Sequence, residues 1–141
     1  MNIPLFVYGS LRKDLQNNYK LESAVYKGLW YTKNEYYMIG MKSGAYPYVT
    51  DEKLYDELVS TKIYGELYLV NEELLTLLDK MEGHPTQYKR KYVEIIDGLH
   101  TQTAYMYILV NEELKKGIRE NFGRRFVAIN HGDWLTYKMK L

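Results

Sequence analysis

Two features of this chain could do chemistry. The first is Glu82. Projected at about 100° per residue, the stretch from Glu72 to Glu82 puts Leu74, Leu75, Leu77, Leu78 and Met81 on one helical face. Glu72, Glu73, Thr76, Asp79 and Lys80 fall on the other face. Glu82 does not join these acids. It lies between Leu75 and Leu78, inside the apolar arc, and in the last turn before Gly83 and Pro85, which read as a helix stop. Partial burial and the negative end of the helix dipole both disfavour the charged form of a carboxyl placed there. A carboxyl moved toward neutrality can take up a proton and return it near physiological pH. In the plainer alternative, Glu82 frays into solvent or accepts a bond from Lys89 or Arg90.

The second feature is the loop Tyr8-Gly9-Ser10-Leu11, on which a run of strand formers from Ile3 to Tyr8 ends abruptly. A plain turn would more often use Asn-Gly or Asp-Gly. With one glycine and no Gly-Lys-Ser/Thr, the loop is no phosphate cradle, and Ser10 lacks the G-x-S-x-G setting of an activated serine. The loop does offer free backbone N–H groups. Turned into a pocket, these form a nest for a carboxylate or a developing oxyanion. A simple strand exit with Tyr8 in the core is the competing reading.

Other chemistries are poorly supplied. The chain has no cysteine, hence no disulfide framework, thiol nucleophile or thiolate metal site. Its three histidines, His84, His100 and His131, show no ligand spacing, so no metal site is expected.

The elements that must position these groups are mostly strands. Ile3 to Tyr8 reads as the first strand. The stretch from Asn17 to Gly28 reads as a short helix, with Leu21 and Val25 four apart and Gly28 as its stop. Strands follow at Leu29–Thr32 and Tyr36–Met41, with an irregular passage through Tyr46-Pro47-Tyr48. Lys53–Lys62 is open between a helical turn and a loop, and Lys62–Val70 is a strand. Asn71 caps the helix that carries Glu82, with Glu72 and Glu73 in the dipole-favoured first turn. Two long strand patterns around Asp97-Gly98 predict a hairpin. The tail mixes a helix with turns. The motif strand-Asn-Glu-Glu-Leu occurs twice, before Leu74 and before Leu114, and is read as shared helix-start grammar rather than duplication.

At 141 residues and a net charge of +1, the chain is expected to form one domain over 1–141, with no electrostatic call for nucleic acid or an anionic membrane. No apolar run has spanning length and no signal peptide is evident, so a cytoplasmic location is expected.

The loop and the glutamate together resemble the gamma-glutamylcyclotransferase-like family. Val7-Tyr8-Gly9-Ser10-Leu11 looks like that family's loop, and Glu82 stands where its catalytic glutamate lies. Glu82, Pro85 and Tyr88 match the E-x-x-P-x-x-Y of the gamma-glutamylamine cyclotransferase branch, and Gly132-Asp133-Trp134 is similar to a tail element of small members. Past Ile118 the tail matches only there.

The resemblance implies an α+β fold, a small mixed β-barrel flanked by a few helices. It implies a cofactor-independent reaction on a small-molecule gamma-glutamyl amine or amino acid. The substrate's alpha-amine attacks its own gamma-carbonyl, giving 5-oxoproline and free amine. Glu82 is then the general base and acid. Tyr8, Gly9, Ser10, Leu11 and Tyr88 bind substrate, with Tyr88 placed to hold the glutamate by its hydroxyl and Gly9 allowing close approach. Such ring closure needs no enzyme nucleophile, only near-attack geometry. The partner is the substrate alone, and a monomer is expected. A non-catalytic protein holding a gamma-glutamyl or pyroglutamyl ligand is the alternative. The sixteen tyrosines could also stack bases, although strands favour tyrosine anyway.

Overall fold

Strand β1 (Ile3–Val7) is buried on both faces, which accounts for its unbroken apolar run. Phe6 packs inward with Leu67, Met106 and Ile108. Leu5 and Val7 pack outward against Leu75 and Leu78. The structure, a computed structural model, describes residues 2–141.

β1 belongs to a closed five-stranded barrel with β2 (Val25–Thr32), β5 (Tyr64–Val70), β6 (Tyr88–Asp97) and β7 (His100–Leu109). The order is β1-β5-β2-β6-β7. All pairs are antiparallel except the closure of β1 on β7, which is parallel at Leu5 and Tyr105 and makes the barrel mixed. The β6–β7 hairpin forms as the sequence predicts, in unbroken register from Asp97 opposite His100 to Tyr88 opposite Leu109. A second sheet, β3 (Tyr37–Met41) between β4 (Pro47–Thr50) and β8 (Phe126–Ala128), adds Met38 and Val49 to the barrel core.

Three helices flank these sheets: α1 (Glu72–Glu82), α2 (Glu112–Glu120) and α3 (Trp134–Met139). The repeated Asn-Glu-Glu motif does the same job twice. Asn71 Oδ1 accepts from the Leu74 amide at 2.8 Å and Asn111 Oδ1 from the Leu114 amide at 2.9 Å. α1 buries Leu75 and Leu78 against β1. α2 buries Ile118 beside Ile39 and Leu109, and α3 sinks Trp134 into the barrel core.

Three local expectations need correction. The stretch before Gly28 is not a helix. It makes one 3₁₀ turn, Asn18–Leu21, and then enters β2, with Gly28 at a register shift inside the strand. Pro47 and Tyr48 open β4 rather than an irregular segment. The buried stripe of α1 is narrower than the apolar arc, since Leu77 is 58% exposed and Met81 38% exposed. The open stretch around Leu54–Ser60 contains no helix. No helix among the described residues is long and apolar enough to cross a membrane.

Candidate active site

The loop after β1 is held by everything except its own N–H groups. The Gly9 carbonyl accepts from the Arg12 amide at 2.9 Å, and the Ser10 carbonyl accepts from the Asn17 amide at 3.0 Å. Ser10 Oγ accepts from Asn17 Nδ2 at 2.8 Å, and the Leu11 carbonyl from Asn18 Nδ2 at 2.8 Å. The Leu11 side chain is buried against Leu75 and Leu78. Tyr8 explains the aromatic at the strand exit: its ring is buried, and its hydroxyl crosses to β7 to donate to the Tyr107 carbonyl at 2.7 Å. Among the described residues, no protein acceptor takes a bond from the amides of Gly9, Ser10 or Leu11. Three adjacent donors therefore stand unspent in a fixed loop.

Beneath the loop lies a buried ionic network. Arg12, 4% exposed, places Nε 3.0 Å from Glu66 Oε2 and Nη1 2.9 Å from Asp133 Oδ1. The other Glu66 oxygen accepts from the Lys13 amide at 2.7 Å. Asp133 also caps α3 through the Leu135 amide. The Gly-Asp-Trp tail element thus supplies a loop anchor in Asp133 and a core residue in Trp134.

Glu82 ends α1, which stops at Gly83 in the left-handed conformation, φ 65°. Its turn is pinned from the barrel. Asp79 Oδ1 accepts from the Tyr107 hydroxyl at 2.6 Å, and Arg90 Nε donates to both Asp79 oxygens at 2.9 and 3.1 Å. Arg90 is therefore engaged with Asp79. Among the described residues, no hydrogen bond or ion pair reaches the Glu82 carboxyl oxygens. Burial pushes the Glu82 carboxyl up to about 7, against the lowering charge of Lys20.

Loop and glutamate line one cavity of about 420 Å³. The structure brings Tyr8, Gly9, Ser10, Leu11, Glu82 and Tyr88 together around it. Tyr88 packs parallel to Tyr48, with centroids 6.4 Å apart. Burial first, then Tyr8 and Glu82, raise the Tyr88 phenol well above its usual range, so it stays protonated as a donor. Among the described residues its hydroxyl makes no bond to Glu82. Gly9 has a role the sequence does not reveal. A Cβ there would stand 2.9 Å from Pro47 Cγ, so the missing side chain lets β4 close that wall of the cavity.

Sequence reasoning missed Arg12, Glu66, Lys20, Tyr48 and the Asp79–Tyr107 pair. One signal was present: Glu66 is a charge in the middle of an apolar strand, and a buried carboxylate requires a partner. Among the described residues, no cluster of three or more His, Asp or Glu side chains could hold a metal ion.

The profile of the family described as gamma-glutamyl cyclotransferase, AIG2-like, matches residues 5–136. The chain belongs to this family. As a family member it is 39% identical over 105 residues to a candidate gamma-glutamylcyclotransferase of Methanocaldococcus jannaschii, covering 73% of this chain and 81% of that protein. It is 32% identical to another of Vibrio cholerae, over 92% of this chain and 93% of that one. Proteins named gamma-glutamylaminecyclotransferase match over shorter stretches. The crystal structure of a mouse AIG2-like protein superposes with a TM-score of 0.62 over 77% of either chain at 20% identity, a likeness of fold.

Proposed function

We propose that this chain is a cyclotransferase that converts a gamma-glutamyl amine or gamma-glutamyl amino acid to 5-oxoproline and free amine. The observation that carries this reading is the pairing, across one cavity, of three unspent loop amides with an unpartnered carboxyl that titrates near neutrality. Each half answers one need of the reaction.

Glu82 as carboxylate takes a proton from the substrate's alpha-ammonium. The freed amine attacks the gamma-carbonyl carbon, a five-membered ring closes, and charge develops on the carbonyl oxygen. The amides of Gly9, Ser10 and Leu11 grip the glutamyl carboxylate or that oxyanion. As the old C–N bond breaks, the protonated Glu82 delivers its proton to the leaving nitrogen, and the second proton still held by the ring nitrogen passes through the regenerated carboxylate to the departing amine, which leaves as the ammonium. Tyr8 and Tyr88 wall the cavity, and the free Tyr88 hydroxyl donates to the folded substrate. The enzyme's task is orientation, which can lower a barrier by about 7–11 kcal/mol in favourable cases.

The test is incubation of the purified chain with a panel of gamma-glutamyl amines and amino acids, followed by measurement of 5-oxoproline. Release from at least one of them supports the reading. Saturable binding without release across the panel would replace it with a non-catalytic binding protein.

A further inference from the structure

Lys20 is a cavity residue that neither the loop nor the proton shuttle uses. It stands in the 3₁₀ turn Asn18–Leu21, half-buried, and is the only basic side chain among the described lining residues. Its Nζ rests on Met81 Sδ at 2.8 Å and lies 5.9 Å from the centroid of the Tyr19 ring. Neither partner is an anion, and no carboxylate among the described residues comes within ion-pairing distance of it. Glu82 is the acid on the described wall whose charge Lys20 meets, and whenever that carboxyl holds a proton the ammonium is left without a counter-charge, a need that a bound anion would answer.

Its position is informative. Met81 precedes Glu82, so the ammonium borders the group that protonates the leaving nitrogen, and its charge is felt there. Under the cyclotransferase reading the unspent loop amides can serve the substrate's glutamyl carboxylate. A second carboxylate, on the carbon next to the leaving nitrogen, exists only when the leaving group is an alpha-amino acid. A plain alkylamine leaves Lys20 unanswered.

We infer that Lys20 recognises the carboxylate of the leaving group, so that the enzyme selects gamma-glutamyl alpha-amino acids over gamma-glutamyl alkylamines. The inference rests on the cyclotransferase reading above.

A matched pair of substrates tests it. Gamma-glutamylalanine and gamma-glutamylethylamide differ by one carboxylate. The parent enzyme is expected to favour the alanine compound in kcat/KM by about 10- to 100-fold, the worth of one charged hydrogen bond. That preference should shrink as salt rises, because the pair is only partly shielded. Lys20→Met keeps the packing without the charge and should bring the ratio of the two substrates to about one, while Lys20→Arg should retain the preference. Thermal melts of each variant establish that they are folded. Equal turnover of both substrates by the parent would overturn the inference. So would an equal loss on both in Lys20→Met, which would assign the lysine to the glutamyl carboxylate instead. If the parent releases 5-oxoproline from neither compound nor from any other in the panel, the cyclotransferase reading itself falls, and this inference with it.

Discussion

Glu82→Gln separates a proton shuttle from a structural carboxyl, because the two make opposite forecasts for stability. Gln keeps the size and shape of Glu but cannot titrate. The Glu82 carboxyl titrates near 7 in the folded chain and near 4.5 as an ordinary carboxyl. Between those values the folded state binds more protons than the unfolded one, so stability falls as pH rises through the window. The full loss above pH 7 is up to roughly 3 kcal/mol. Glu82→Gln escapes it. The variant should therefore melt several degrees above the parent at pH 8, with about a quarter of that free-energy gain left at pH 5. Turnover should drop by about 10²–10⁴-fold, and the parent's kcat/KM should climb as Glu82 ionises around pH 7. The assay is a thermal melt at both pH values with 5-oxoproline release on the same preparation. Full activity in the Gln variant, or a stability gain independent of pH, would refute the reasoning.

Three further outcomes follow from the same geometry. Tyr88→Phe should fold normally and lose turnover by roughly tenfold to a hundredfold, the worth of one hydrogen bond to a charged group. An unchanged rate would reduce Tyr88 to packing against Tyr48. Gly9→Val should damage both stability and activity, because its Cβ meets the stiff Pro47 ring. Ser10→Ala loses only the bond from Asn17, about 1 kcal/mol, and should stay active; parallel melts and rates that rank the two the other way would move the pocket elsewhere. Arg12→Ala strands the Glu66 carboxylate in the core and should cost about 3–5 kcal/mol in a denaturant titration.

What the sequence made legible was local. The Asn71 cap and the Gly83 stop each involve residues a few positions apart, and their grammar is in the composition of the segment. The Asp97-Gly98 hairpin is local in the same sense. Glu82 could be found because a helix turns sequence spacing into a direction, and Leu75 and Leu78 mark that direction as inward. The segment around Gly28 was misread because a glycine after an i, i+4 pair suits a helix end equally well. Here it has φ 92° at the bulge where β2 shifts register on β5. The Arg12–Glu66–Asp133 network was out of reach for a different reason. Its members are brought together by barrel closure and the docking of α3, and no periodicity encodes a meeting of three distant segments. The Pro47 wall belongs to the same class, since it depends on how the second sheet lies against β1.

The bond from Arg12 to Asp133 spans 121 positions, and this separation has a consequence for the order of events during synthesis. A ribosome delivers the loop first and Glu82 long before Asp133 emerges. Until then the guanidinium has one of its two carboxylate partners, and the turn that presents the free amides is incompletely fastened. A nascent chain would thus hold every candidate site residue and still lack the tie that sets the loop. Commissioning of the site is deferred to the arrival of the tail, which brings the loop its second carboxylate in Asp133 and the barrel core its Trp134.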